Sequence, residues 1–125
     1  MDSLVVVVTT PPYSNLTATA INLVEAAINN GIKLDGIFFY QDGVLNASKH
    51  HKMPSDEYQA CEQWHRIHKE HRVPLNLCVT AAEKRGLSDE VDESNAVSSI
   101  HEYFTVAGLG ELAELTINAK RVIQL

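Results

Sequence analysis

Two groups of residues have types and spacing suited to chemistry. The first is Cys78, which ends the apolar run Leu75-Asn76-Leu77-Cys78-Val79 and directly precedes Thr80-Ala81-Ala82-Glu83, a segment with capping-box spacing. A thiol at a strand's carboxyl end, facing a helix start, meets backbone N–H groups and the positive end of the helix dipole, and both favour the thiolate. The thiolate is the nucleophile, so this placement points to sulfur chemistry. The competing role is that of most free cysteines, a small buried hydrophobe. The second group is Cys61, His65 and His68, which fall on one face of a helix at about 100° per residue. Such donors suit zinc or copper, but a fourth ligand is not evident. Cys61 also shares a stripe with Trp64, so the sequence predicts packing for Cys61, a wet edge or subunit contact for the histidines, and no metal.

Other reactive types are weaker candidates. His50, His51 and His101 fall in expected loops, where any of them would make a base for Cys78. A Cys–His hydrolase also needs an orienting group and an oxyanion hole, and neither has a local signature here. Gly108-Leu109-Gly110 precedes a helix but lacks the third glycine and the leading first strand of a dinucleotide cradle, so a tight helix-start turn is the better explanation. There is no Walker motif, and no cofactor is expected. Asp89, Glu90, Asp92 and Glu93 form an acidic cluster that reads as a solvated surface rather than a lure for a basic carrier.

Composition narrows the setting. The chain has 125 residues, 45% apolar and 21% charged, which is ordinary for one globular domain. A formal net charge of −6, with Lys84-Arg85 and Lys120-Arg121 the only adjacent basic pairs, argues against direct nucleic-acid binding. Two cysteines are too few for a secreted disulfide scaffold. No signal peptide or membrane-length apolar stretch is visible, so a reducing cytoplasm is expected.

The elements that must position these residues alternate. Leu4–Val8 reads as a strand covered on both faces, ended by Thr9-Thr10-Pro11-Pro12. Ser14 is the expected N-cap of a helix to about Asn30, closed by Gly31. Lys33–Tyr40 is the second strand, and Leu45–Pro54 reads as an exposed loop. Ser55-Asp56-Glu57 opens a helix to about His71. Pro74–Cys78 is the third strand and Thr80–Arg85 a short helix closed by Gly86. Leu87–Ser99 reads as a polar loop or irregular helix, Tyr103–Val106 as a strand, Gly108–Asn118 as a helix start and body, and Lys120–Leu125 as the last strand. This alternation predicts a single-domain α/β three-layer sandwich, flavodoxin-like, with an open, mostly parallel sheet and helices on both faces. Chemistry gathers at the carboxyl ends of such strands, where Thr9–Tyr13, Tyr40–Ala47 and Cys78–Ala81 should meet and leave Cys78 reachable at the rim.

Three segments carry a family resemblance. Phe38-Phe39-Tyr40-Gln41-Asp42-Gly43-Val44-Leu45-Asn46-Ala47 is similar to the FFYxDGVxNA motif of the DsrE/TusD sulfur-relay (DsrEFH-like) family. Cys78 to Gly86 resembles its CVxAAxxRG segment, and Gly108-Leu109-Gly110-Glu111-Leu112 resembles its GLGxL. The likeness runs in order over residues 1–125, and the ending Arg121-Val122-Ile123-Gln124-Leu125 is more like TusD than DsrE. The resemblance implies one sulfur-relay domain, a sulfurtransferase subunit that takes sulfane sulfur as a persulfide on Cys78 and passes it to another carrier. In the TusD branch the implied task is 2-thiolation of the tRNA wobble uridine. The implied partners are a TusA-like donor and a TusE-like acceptor, with TusB- and TusC-like subunits in a hetero-hexamer, or a homo-oligomer when isolated. The alternatives are DsrE-type transfer in sulfur oxidation, a non-catalytic assembly subunit, or, on fold analogy alone, a flavin- or nucleotide-binding domain. The resemblance assigns no role to Cys61 or to the histidines.

Overall fold

The computed structural model describes residues 2–89 and 98–125. Five strands, β1 (Ser3–Val8), β2 (Lys33–Phe39), β3 (Leu75–Cys78), β4 (Thr105–Ala107) and β5 (Arg121–Gln124), form one sheet in the order β4-β3-β2-β1-β5. Every pairing is parallel, so the sheet is wholly rather than mostly parallel. Among the described residues four α-helices join in: α1 (Asn15–Asn29), α2 (Ala60–His71), α3 (Val79–Glu83) and α4 (Leu109–Asn118). A 3-10 helix, Gln41–Ala47, follows β2.

The strand order assigns helices to faces. From β1 to β4 the chain steps in one direction, so right-handed crossovers keep α1 and α2 on one side. From β4 it returns past the whole sheet to β5, which puts α4 on the other side. Side-chain alternation and register then sort the strand residues. Val6, Val8, Ile37, Phe39, Leu75 and Leu77 share the α1/α2 face; Val7, Phe38, Asn76 and Cys78 share the α4 face. Gly36 also lies on the α4 face, where a Cβ would meet Leu115 of α4 at 3.5 Å and the Asn76 amide at 3.4 Å. The near-continuous apolar runs in β1 and β2 follow from burial on both faces.

Local chemistry explains most element ends. Ser14 caps α1 by accepting from the Leu16 N–H, and Gly31, at φ +79°, takes the left-handed position after the helix. The α2 helix starts at Ala60, not at Ser55. A turn closed by the Glu57 N–H on the Pro54 carbonyl consumes the earlier residues, and Gln59 Nε2 donates to the Pro54 and Glu57 carbonyls. The expected exposed loop Leu45–Pro54 starts inside the 3-10 helix, with Asn46, Ala47 and Ser48 buried, and is irregular and largely exposed from Lys49 on. The acidic residues Glu90, Asp92 and Glu93, and most of the loop expected over Leu87–Ser99, lie outside the described residues.

Candidate functional site

The three segments expected at the carboxyl edge of the sheet do converge, and hydrogen bonds state how. Asn46, fully buried, donates through Nδ2 to the Thr10 carbonyl at 3.0 Å and to the Gly43 carbonyl at 2.9 Å. Its Oδ1 accepts from the Trp64 indole N–H at 3.1 Å. One carboxamide therefore joins the loop after β1, the 3-10 helix and α2, with both ends of its dipole satisfied. Thr17, buried in α1, donates to the Pro11 carbonyl at 2.6 Å and holds the first loop down. Gly43 comes so close to β1 that a Cβ would overlap the Val8 carbonyl oxygen and lie 2.7 Å from its carbon. Only glycine lets the 3-10 helix sit there.

The second and third segments meet through an ion pair. Arg85 Nε donates to Asp42 Oδ1 at 2.9 Å, while its Nη1 donates to the Ala81 carbonyl at 3.0 Å. Asp42 belongs to the 3-10 helix and Arg85 follows α3, so the pair clips α3 across the end of the sheet. Cys78 sits between these parts, as the N-cap residue of α3 and the last residue of β3. It makes no side-chain cap bond. The expected capping box does not form: Thr80 lies inside the helix and exposed, because the strand runs straight into α3 and Cys78 itself takes the cap. Five residues also make a short helix, whose end carries few aligned peptide dipoles.

One expectation needs correction here. Cys78 is 2% exposed, in contact with the apolar core, rather than open at the rim. The parallel register turns it toward the α4 face beside Ala107 of β4.

Cys61 has a different setting. It lines a cleft of about 680 Å³ with His51, His65, His101 and Tyr103. The Tyr103 ring lies between two imidazoles, stacked on His65 at 4.2 Å and on His101 at 5.1 Å, and its hydroxyl donates to the Cys61 carbonyl. Burial, with a smaller contribution from Glu62, pushes the Cys61 thiol up to about 11 despite an opposing backbone hydrogen bond. At neutral pH it is therefore a thiol and a poor nucleophile. Burial first, then Lys49 and His65, hold His101 below the usual imidazole value. The structure thus groups His51 and His101 with Cys61. His50 is exposed, and His68 shares its Nδ1 with the Val73 carbonyl at 2.9 Å. Among the described residues no set of three or more His, Cys, Asp or Glu side chains is arranged to hold a metal ion.

Sequence reasoning missed Asn46 and Asn76 as site residues. Asn76 was legible as a polar residue inside an apolar strand, Leu75-Asn76-Leu77, where a buried amide calls for a partner.

In this arrangement two of the motif segments, Phe38–Ala47 and Cys78–Gly86, build one edge: Gly43 and Asn46 seat the 3-10 helix, Asp42 reaches Arg85, and Cys78 ends the strand beside them. Among solved structures, the YchN protein from E. coli superposes with a TM-score of 0.76 at 26% sequence identity, with 100% of each chain covered. No helix among the described residues is long and apolar enough to cross a membrane. The profile of the DsrE/DsrF-like family matches residues 2–125, and the chain belongs to that family.

Proposed function

We propose that this chain is a cytoplasmic sulfurtransferase subunit, one relay domain over residues 1–125, that carries a transient persulfide on Cys78. Family membership ties the chain to sulfur relay in general. What carries the finer reading is the position of Cys78, at the end of a central parallel strand, under an edge cross-linked by Asn46 and by Asp42–Arg85. The Cys78 thiolate attacks the outer sulfur of a donor persulfide, R–S–SH. The donor S–S bond breaks, R–S⁻ leaves, and Cys78–S–SH forms with the proton kept on the terminal sulfur. Oxidation states balance without an added oxidant or reductant, and the rate follows thiolate fraction, leaving group and access. The downstream carrier repeats the step on Cys78–S–SH.

Access is the term that the fold controls. A thiol 2% exposed reacts only when something moves. The movable part is α3, five residues long and clipped by an ion pair whose carboxylate is mostly exposed. Short, weakly anchored elements open well below the global unfolding free energy. We assign the opening to carrier contact, which keeps the persulfide away from water and stray thiols between transfers. The carriers are a TusA-like donor and a TusE-like acceptor, with TusB- and TusC-like subunits alongside, and the end use is 2-thiolation of the tRNA wobble uridine. Transfer in sulfur oxidation is the alternative end use.

The same 2% exposure favours one second reading, an assembly subunit with an inert thiol. Peptide mass spectrometry after incubation with a persulfidated carrier separates the two. A gain of one sulfur atom on the peptide holding Cys78 is the expected result; an unmodified Cys78 peptide beside a discharged donor rejects the relay role.

A further inference from the structure

A second polar group on the α4 face has no use in the scheme above. Asn76 precedes Cys78 by two residues on the same side of β3, so their side chains emerge about 7 Å apart. It is 8% exposed, and its carboxamide makes no hydrogen bond among the described residues, unlike the fully satisfied Asn46. Its amide atoms are not sealed from solvent, so the carboxamide is available to pair with a group that enters from outside. Asn76 lines an open cleft of about 570 Å³ between the β3–β4 edge and the start of α4, with Thr105, Gly108, Gly110, Glu111 and Glu114.

The lining describes the missing partner. Glu111 and Glu114 are exposed, and among the described residues no lysine, arginine or histidine lines the cleft, so it repels small anions such as thiosulfate and attracts cations. A Cβ on Gly108 or Gly110 would meet nothing within 4 Å, so backbone can approach the floor closely. Gly108 caps α4 without any side-chain bond, and the first-turn N–H groups lack a capping side chain. A carboxamide offers one donor group and one acceptor in a plane, the same pair that a peptide unit presents. These features suit main chain with basic side chains.

We propose that this cleft docks an extended, lysine- or arginine-bearing segment of the partner sulfur carrier, with Asn76 bonding its main chain and Glu111 and Glu114 its cations. This deepens the relay reading and rests on it: a segment held at Asn76 delivers its cysteine one strand repeat away, over Cys78. Asn76 acts as a positioning residue.

The test uses two synthetic peptides with serine in place of the reactive cysteine, one flanked by lysines and one by glutamates. Fluorescence anisotropy should show saturable binding of the lysine peptide alone. Asn76→Leu and the pair Glu111→Lys/Glu114→Lys should each weaken it tenfold or more. Because Asn76 has no hydrogen-bond partner among the described residues, Asn76→Leu should keep the wild-type urea midpoint or raise it, so lost binding cannot be put down to unfolding. Equal binding of both peptides, or undiminished binding by Asn76→Leu, overturns the proposal. So does a change in oligomeric state with Asn76→Leu in sedimentation, which would make a second copy of this chain the occupant. Wild-type protein should load Cys78 from a small-molecule persulfide. If wild type itself fails to load, the relay reading falls while the peptide result stands separately.

Discussion

The two faces of the sheet are built to different standards. On the α1/α2 face, Phe39 meets Trp64 edge-on at 5.1 Å and Phe104 at 5.1 Å, and Ile21, Val24 and Ile67 are fully buried. An ion pair between Glu25 and Arg66 ties the two helices outside that core. On the opposite face α4 has no buried residue, Ile117 is 80% exposed, and β5 leaves Val122 43% exposed. That face also holds Cys78, the small Gly36 and Asn76, whose amide has no hydrogen bond among the described residues. One face supplies stability; the loosely covered one carries the groups with chemistry left to do.

Substitutions on the two faces should therefore differ in kind. The largest effect belongs to Trp64→Ala, which empties the centre of the packed face and removes the donor to Asn46; a loss of about 3–5 kcal/mol is expected in urea denaturation. Asn46→Ala should cost about 1–3 kcal/mol by the same assay, since it strands the Trp64 N–H. On the other face, Leu115→Ala should cost only about 1 kcal/mol, as Leu115 is partly buried over Gly36. A loss near that of Trp64→Ala would abolish the distinction.

Smaller still is the stability effect of Asp42→Ala, below about 1 kcal/mol for an exposed pair. Its interest is kinetic: freeing Arg85 should speed alkylation of Cys78 several-fold in the native protein, and an unchanged rate would remove α3 from the gating role. The smallest effect concerns pH. His101 is held below its usual value, so its contribution to stability is full above about pH 6.5 and is lost as pH falls toward the lowered folded value. The sign follows because the unfolded chain binds the proton more readily. In His101→Gln this part of the acid-side slope should vanish, though Lys49, His65, Glu102 and Tyr103 share the environment.

Much of the fold was legible because its signals are local. The valine run of β1, the Ser14 cap, Gly31 and Gly86 each act within a few residues. The failures come from long-range geometry. Ser55-Asp56-Glu57 has helix-start chemistry, but Pro54 and Gln59 spend it in a turn. His-rich Leu45–Pro54 looks solvated, yet its first half is drawn inward by Gly43 against β1 and by Asn46 on Trp64. The convergence of three segments followed from parallel topology alone. The burial of Cys78 did not, because it depends on tertiary packing around the strand end that the chain order does not show. Cys61 and Cys78 could not be ranked by type; the burial that pushes Cys61 up to about 11 is a tertiary effect.

Sulfur uptake tests the central claim most directly. Native protein, Cys61→Ser and Cys78→Ser should be incubated with a carrier bearing a radiolabelled persulfide, and protein-bound label counted after desalting without reductant. Wild type and Cys61→Ser should take up close to one equivalent of label per chain, and Cys78→Ser only background. Label retained by Cys78→Ser, or lost in Cys61→Ser alone, would contradict the assignment.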